Sequence, residues 1–551
     1  MKFIVCFLIM LFSVGNKLIA QETNELKFQE VIQADSISCL LKECLDSKEY
    51  GLAYLCVHEL NKRDSLSSEV LYNCANCLVG GKLYNECLDF CDKWQRKDAT
   101  NQSDSLFMPI RGECHFFLKD YKKSAKYLSQ YDSLLTQHNR VLNTRHKELY
   151  AKSLHNISKY IEAESVYKSY FSDVVSLERC HLSDIHKCEN RELYGYNLYD
   201  YAYNSFFMGN ESLGMDLLYL SSKCGNKWAQ NDYDHLSKCE TVMTNLDLKN
   251  KFKNQFIEYI NRYDFHYQPN LDLTTNIADD FWTQLLQNNT SYIELQTEIK
   301  KPKPRKMLIK ACAELISNRN KFLSSLNKNC IDVVGADPFK QNLVCKFAGA
   351  NNRFLNDFKI YIASDPNAFA TPFGQIYLTS GLAQKYHFNE NLLIGICAHE
   401  MTHLTCMHSL VNLWKQYEKE RRNAIIGGIA AGLYAATMIA SSVYGASNGV
   451  SHNRSFYDNM AVTTTNLYRA IYGNALYFQF KYAREQEIES DIIAYRFCEA
   501  IGIGGYVYIM ALQLLGENDL YMRVDKTDDH PTLGYRVALL KYIYSMEHNG
   551  V

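Results

Sequence analysis

His399-Glu400-Met401-Thr402-His403 closes the apolar run Leu392-Leu393-Ile394-Gly395-Ile396-Cys397-Ala398, and this junction constrains the chain more than anything else in it. The run reads as a buried helix. Two histidines four residues apart fall on one helical face, so both rings reach a single zinc ion. Glu400 follows the first histidine. It is placed to take a proton from water activated at the metal rather than to bind the metal. The pattern then asks for a third ligand downstream.

Arg484-Glu485-Gln486-Glu487-Ile488-Glu489-Ser490-Asp491 opens a second helix that runs on through Ile492-Ile493-Ala494-Tyr495. Glu487 and Asp491 lie one turn apart and face the same way. Glu487 is expected to complete a site of two histidines and a carboxylate, with one position open for water. Asp491 is expected to accept a hydrogen bond from a ligand histidine and fix its tautomer. Spacing alone leaves Glu485 and Glu489 as rivals for the ligand. Without the histidine pair, the same acids would read as a solvated helix start.

A chain of 551 residues has room for two or three domains and a sizeable core. The formal net charge of -2 argues against a nucleic-acid surface. Forty tyrosines and 13% aromatic residues suit packed helices rather than disorder. Lys2, the apolar stretch from Phe3 to Val14, and Ala20 before Gln21 read as a signal peptide over residues 1–20, too short in its apolar core for a full span. Export would permit disulfides among the 18 cysteines left after Cys6 departs, but their pairing cannot be deduced from sequence. Cys74 and Cys77, and Cys87 and Cys91, read as small buried residues of a helical region.

Residues 30–245 are helical and weakly repetitive. Tyr84 to Tyr121 is 37 residues, Ala125 to Ala163 is 38, and each mark sits in a helix–turn–helix pattern. The region loosely resembles degenerate tetratricopeptide repeats: paired helices with small residues at their crossings, stacked to share one core and offering a face for protein contact. Residues 246–306 read as a helical connector, with Trp282 to Leu286 in one packed helix. An exposed basic linker follows, in which Pro302 and Pro304 break the run Lys300 to Lys306. Residues 307–545 form the catalytic domain. Phe358 to Ile362 and Gln375 to Thr379 read as strands, Asp365-Pro366-Asn367 as a turn, and Ser380 as a helix cap. The strand Gln375 to Thr379 is expected to present an open sheet edge to an extended substrate.

Over about residues 345 to 540 the chain resembles the gluzincin family that includes the prenyl-protein C-a-a-X endopeptidases, the membrane heat-shock proteases and the periplasmic assembly-quality proteases of Gram-negative envelopes. Four motifs carry the resemblance in order. They are Asn367-Ala368-Phe369-Ala370-Thr371-Pro372-Phe373-Gly374, the helix His399 to His403, Arg484 with Glu487 and Asp491, and His530-Pro531 with Arg536. The resemblance implies Glu487 as the third ligand and Asp491 as its supporting acid. Ala483 and Ser490 depart from the family's serine and alanine without removing a ligand. Relatives with tetratricopeptide repeats tend to carry them after the protease domain, whereas here the helical arm comes first.

The implied fold is α+β and mostly helical: a zincin-type catalytic domain with a small sheet, preceded by an all-α helical-hairpin repeat region. The implied activity is zinc-dependent endopeptidase cleavage of misfolded or misassembled exported proteins, with one zinc per chain, in the periplasm or cell envelope. Metal ligands are His399, His403 and Glu487, the base is Glu400, and His530 or Arg536 is the candidate oxyanion donor. Expected partners are unfolded proteins, an envelope protein held by the helical arm, and a peripheral membrane contact, with no nucleic acid. The competing reading is a binding or chaperone-like module with a latent peptidase. Ala424 to Ala446, 23 residues without a charge, reads either as a packed hairpin over the site or as a membrane-dipping segment.

Overall fold

The computed structural model describes residues 34–63, 66–97, 102–245, 248–269, 276–329, 338–350, 354–361, 364, 366–426, 484–515 and 531–548. The leader, residues 427–446 of the apolar stretch and His530 lie outside the described residues. The chain divides into two units, one ending at Glu189 and one beginning at Asn190.

The first unit is a run of helical hairpins. Ala34–Asp46 pairs with Tyr50–Leu60, Ser68–Gly80 with Tyr84–Lys97, Gln102–Phe117 with Tyr121–Gln137, and Thr144–Asn156 with Tyr160–Glu178. A 3-10 turn, Leu182–Lys187, follows. Every second helix begins with a tyrosine, and Tyr50, Tyr84, Tyr121 and Tyr160 are spaced 34, 37 and 39 residues apart. Two residues before each tyrosine, the backbone turns left-handed at Lys48, Lys82, Lys119 and Ser158 (φ 58° to 63°). In each turn the next amide reaches back five residues. Glu49 N donates to Cys44 O, Leu83 N to Leu78 O, Asp120 N to His115 O, and Lys159 N to Leu154 O, at 2.8 to 2.9 Å. This is one Schellman-type stop used four times. Periodic small residues let the paired helices cross closely: Ala75 and Cys87, Gly112 and Ser124, Ala151 and Ala163, all buried. Cys87 Sγ donates to Ala75 O, and Ser124 Oγ donates to Gly112 O at 2.8 Å. A Cβ on Gly112 would lie 2.6 Å from Leu128 Cγ. The periodicity is therefore a helical-hairpin repeat, which is as far as the resemblance to tetratricopeptide repeats is carried.

The second unit opens with three more helices, Arg191–Phe207, Glu211–Lys223 and Lys227–Asn245, the first two joined by the same stop at Gly209 (φ 75°). The first and third of these pack on the helix Gly505–Leu515. The sequence reading groups them with the arm, whereas here they belong with the metal-bearing residues. Leu248–Tyr263, Ile277–Asn288, Thr290–Ile299, Lys306–Asn329 and Pro338–Phe347 follow. Trp282 is buried in the helix expected for it, with its indole N–H donating to Phe347 O at 2.8 Å. The basic linker is a tight turn gathered around buried Glu298. That carboxylate accepts from Lys301 Nζ at 2.7 Å and from Arg305 N at 2.8 Å.

The sheet has three strands, β1 (Asp357–Tyr361), β2 (Ala368–Thr371) and β3 (Gln375–Thr379), in the order β1-β3-β2. β1 runs parallel to β3, and β2 runs antiparallel to it. This corrects one expectation. Gln375–Thr379 is the middle strand, with both backbone edges paired, so it offers no edge to a substrate. The cap of the following helix, Ser380–Lys385, also differs: Thr379 Oγ1, not Ser380, accepts from Leu382 N at 3.2 Å.

Four helices then form the core of the unit: Glu390–Thr405, Arg484–Ala500, Gly505–Leu515 and Leu533–His548. We call them the histidine, carboxylate, tyrosine and arginine helices. The histidine helix is buried from Asn391 to Thr405 and contacts the carboxylate helix, the tyrosine helix and β2. A Cβ on Gly395 would stand 3.0 Å from Tyr508 Cδ2. The glycine thus lets the tyrosine helix approach one turn below His399. Among the described residues, no helix is long and apolar enough to cross a membrane. Sixteen cysteines whose side chains are described are free thiols, and eleven of these are buried, which suits a packing role.

Candidate metal centre

The histidine helix carries His399 and His403 on one face, as their spacing predicts. Their Nε2 atoms lie 3.2 Å apart. The carboxylate helix brings Glu487 against them, with Oε2 at 3.5 Å from His399 Nε2 and Oε1 at 3.6 Å from His403 Nε2. A tetrahedral zinc with bonds of about 2.0 to 2.1 Å has ligand–ligand edges of roughly 3.3 to 3.4 Å. Two imidazole nitrogens and a carboxylate at this separation fit that ion in both chemistry and size. All three residues are buried, and they group as one candidate metal cluster. Glu485, one of the two rivals, is exposed and pairs with Arg262.

Behind His399 sits a charged clasp. Asp491, fully buried, holds Oδ1 at 3.0 Å from His399 Nδ1. Tyr508 Oη lies 3.0 Å from the same nitrogen and donates to Asp491 Oδ1 at 2.6 Å. Arg536 Nε donates to Asp491 Oδ2 at 2.5 Å, its Nη2 also bonds Asp491, and its Nη1 stands 3.4 Å from Glu487 Oε2. Burial alone would pull the His399 pKa down, but hydrogen bonds to Asp491 and Glu487 outweigh it and hold the ring up at about 9. Burial pushes the Glu487 carboxyl up. The His399 hydrogen bond and the Arg536 charge prevail and keep it well below the usual carboxylate range. The Asp491 carboxyl is likewise held low against burial, chiefly by Arg536.

Glu400 points to the sheet. Its Oε2 accepts from Ala370 N of β2 at 2.7 Å. Burial pushes its pKa up to about 7, with His399 opposing the shift. A carboxyl shifted toward neutrality is suited to exchanging a proton near pH 7.

Behind His403 lies a different set. His408 Nδ1 is 2.9 Å from His403 Nδ1, and His408 Nε2 is 3.3 Å from Glu489 Oε2. Asn289 Nδ2 donates to Glu489 Oε1 at 2.6 Å and to Cys406 Sγ at 3.4 Å. Cys406, His408 and Glu489 form a second buried group close enough to hold an ion. The sequence pattern does not point to Tyr508, His408 or Asn289, and it offers Glu489 only as a rival ligand. The signal was slight: His408 stands five residues after His403, across a helix end where Met407 turns left-handed (φ 53°) and folds the chain back.

Residues 341–544 match the model for Peptidase family M48. No curated protein and no solved structure matches the chain. With the buried two-histidine, one-glutamate cluster, that match identifies an M48-family peptidase domain in the second unit and makes the chain a zinc metalloendopeptidase.

Proposed function

We propose that this peptidase acts on loosened or misassembled exported proteins in the cell envelope, with one zinc per chain held by His399, His403 and Glu487. The observation that carries the reading is the convergence of those three residues with Glu400 beside the edge strand β2. Zinc bound there supplies Lewis-acid activation of a water and of the scissile carbonyl. Glu400 takes the proton from the attacking water and delivers it to the leaving amine. Asp491 and Tyr508 hold His399 by Nδ1, leaving its Nε2 to face the metal. Arg536 is committed to Asp491 and Glu487, so its role is to hold the ligands rather than to meet the oxyanion. His530 remains the candidate for that contact.

β2 pairs with β3 on one side, and its Ala370 amide points away from β3 toward Glu400. An extended substrate added along this edge would be recognised by backbone hydrogen bonds, which favours unfolded segments over folded surfaces. The repeated hairpins of the first unit supply a surface for recruiting a client or an envelope partner. The envelope location rests on the leader-like residues 1–20.

The test is purified full-length chain assayed for zinc content and casein cleavage, beside Glu400→Gln. One equivalent of zinc in both, with cleavage only in the wild type, supports the reading. Client binding that persists in Glu400→Gln while the wild type cleaves no unfolded protein would favour the chaperone-like alternative.

A further inference from the structure

Resting on the zinc-centre reading above, we infer that His408 and Glu489 are positioning residues that fix the tautomer and orientation of the ligand His403. Zinc on His403 Nε2 requires that ring to carry its proton on Nδ1. The nearest partner of that Nδ1 is His408 Nδ1 at 2.9 Å, while Ser490 Oγ is at 3.5 Å. His408 must then accept through Nδ1, which places its own proton on Nε2. That nitrogen faces Glu489 Oε2 at 3.3 Å. The other oxygen of Glu489 is occupied by the Asn289 amide at 2.6 Å, and Asn289 is itself fixed as a helix cap by accepting from Tyr292 N at 2.8 Å. The row Asn289, Glu489, His408, His403 is hydrogen-bonded at its two ends, and in its middle His408 Nε2 approaches Glu489 to 3.3 Å without a hydrogen bond formed between them, so the pairing assigns each proton its place by proximity. The two ligand histidines are held differently: His399 by a carboxylate directly, His403 by a carboxylate through a second imidazole.

The same residues could be read as a second ion site with Cys406. The hydrogen bonds argue against that. Asn289 directs its amide donor at both Cys406 and Glu489. A donor aimed into a cluster takes the place a cation would need.

The discriminating variant is Glu489→Gln. Asn289 holds the amide oxygen toward itself, so the new amide donor faces His408 Nε2. His408 is driven to the opposite tautomer, and two N–H groups then meet between His408 and His403. The readout is zinc affinity of the full chain by competition with a chromophoric chelator, with the cobalt-substituted absorption spectrum and the metal-free melting temperature alongside. Expected is zinc binding weaker by about 10- to 100-fold in Glu489→Gln and in His408→Leu. Near-native affinity is expected in His408→Asn, whose Oδ1 can still accept from His403, and Glu489→Gln should melt like the wild type. Wild-type affinity in a folded Glu489→Gln overturns the proposal. So does a wild type that holds two zinc ions and loses one in these variants. If His408→Leu fails to fold, Glu489→Gln and His408→Asn still decide. Glu487→Ala that keeps full zinc affinity would instead overturn the metal centre itself.

Discussion

The two units bury polar groups in opposite ways. In the first unit a buried cation keeps a foot in water through its partner. Arg111 pairs with Asp92 at 2.8 Å with side-chain exposures of 9% and 46%, and Lys147 pairs with Asp173 at 2.6 Å with 7% and 36%. Its fully buried polar groups are serines bonded across helix crossings, such as Ser153 Oγ to Ser124 Oγ at 2.8 Å. Around the candidate metal centre of the second unit both ends of each pair are inside: His399 with Asp491 and Arg536 with Asp491. Removing two charges from water is expensive, and apolar packing of equal volume often does as well or better for stability. The first unit avoids that cost and reads as architecture. The second accepts it around one point, which is what a metal centre requires.

The contrast breaks if substitutions in the two units have the same consequences. The largest effect is expected at Glu400→Gln, with kcat/KM on casein down about 10²- to 10⁴-fold and zinc retained. Activity within a factor of a few of the wild type would remove Glu400 from the chemistry. Next comes Leu128→Ala in the first unit. Leu128 is fully buried against Gly112, so truncation should destabilise the first unit by about 2 to 5 kcal/mol in a urea melt while zinc content stays at the wild-type level. Zinc loss there would blur the division between the units. Smaller is Asp491→Asn, which keeps shape but removes the charge that faces His399 and Arg536. Zinc affinity should fall by about 10- to 100-fold in chelator competition, and an unchanged affinity would show that an acceptor beside His399 suffices without the charge.

What was legible in the sequence followed from spacing along a single helix. Two histidines at i and i+4, and Glu487 one turn before Asp491, share faces whatever surrounds them, so both groups met as expected. The hairpin stops were legible only in part. The tyrosine after each stop is visible in the chain, but the left-handed residue two positions earlier is a lysine or a serine rather than the glycine that usually announces such a turn. Partners from other elements were not legible. Tyr508 reaches His399 because Gly395 admits its helix, and Asn289 reaches Glu489 from a helix cap 200 residues away. The strand order failed for the same reason. Alternation shows that Gln375 to Thr379 is a strand, but it cannot show that the strand lies between two others.

The smallest predicted effect sharpens the contrast within the second unit. Asp232 is as enclosed as the acids of the metal centre, but among the described residues no arginine pairs with it. Tyr199 and Tyr203 each donate to its Oδ2 at 2.7 Å, and His387 Nε2 is 3.8 Å away under a stacked Trp228. Burial raises the Asp232 pKa, opposed by the two tyrosine hydroxyls, whereas Asp491, beside Arg536, is held low. The signs are therefore opposite. A raised carboxyl contributes stability that is complete below its unfolded value, near 3.8, and is lost as pH rises through the folded value. Asp232→Asn keeps an acceptor for both tyrosines and has no charge to desolvate. It should match the wild type in acid and equal or exceed it at neutral pH, by about 1 kcal/mol or less. Melting temperatures of both proteins across pH 4 to 7 decide the matter. A variant that loses stability steadily relative to the wild type toward neutral pH would mean that the Asp232 charge is needed, and that enclosure by two tyrosines with His387 and His235 nearby serves a carboxylate as well as an arginine does.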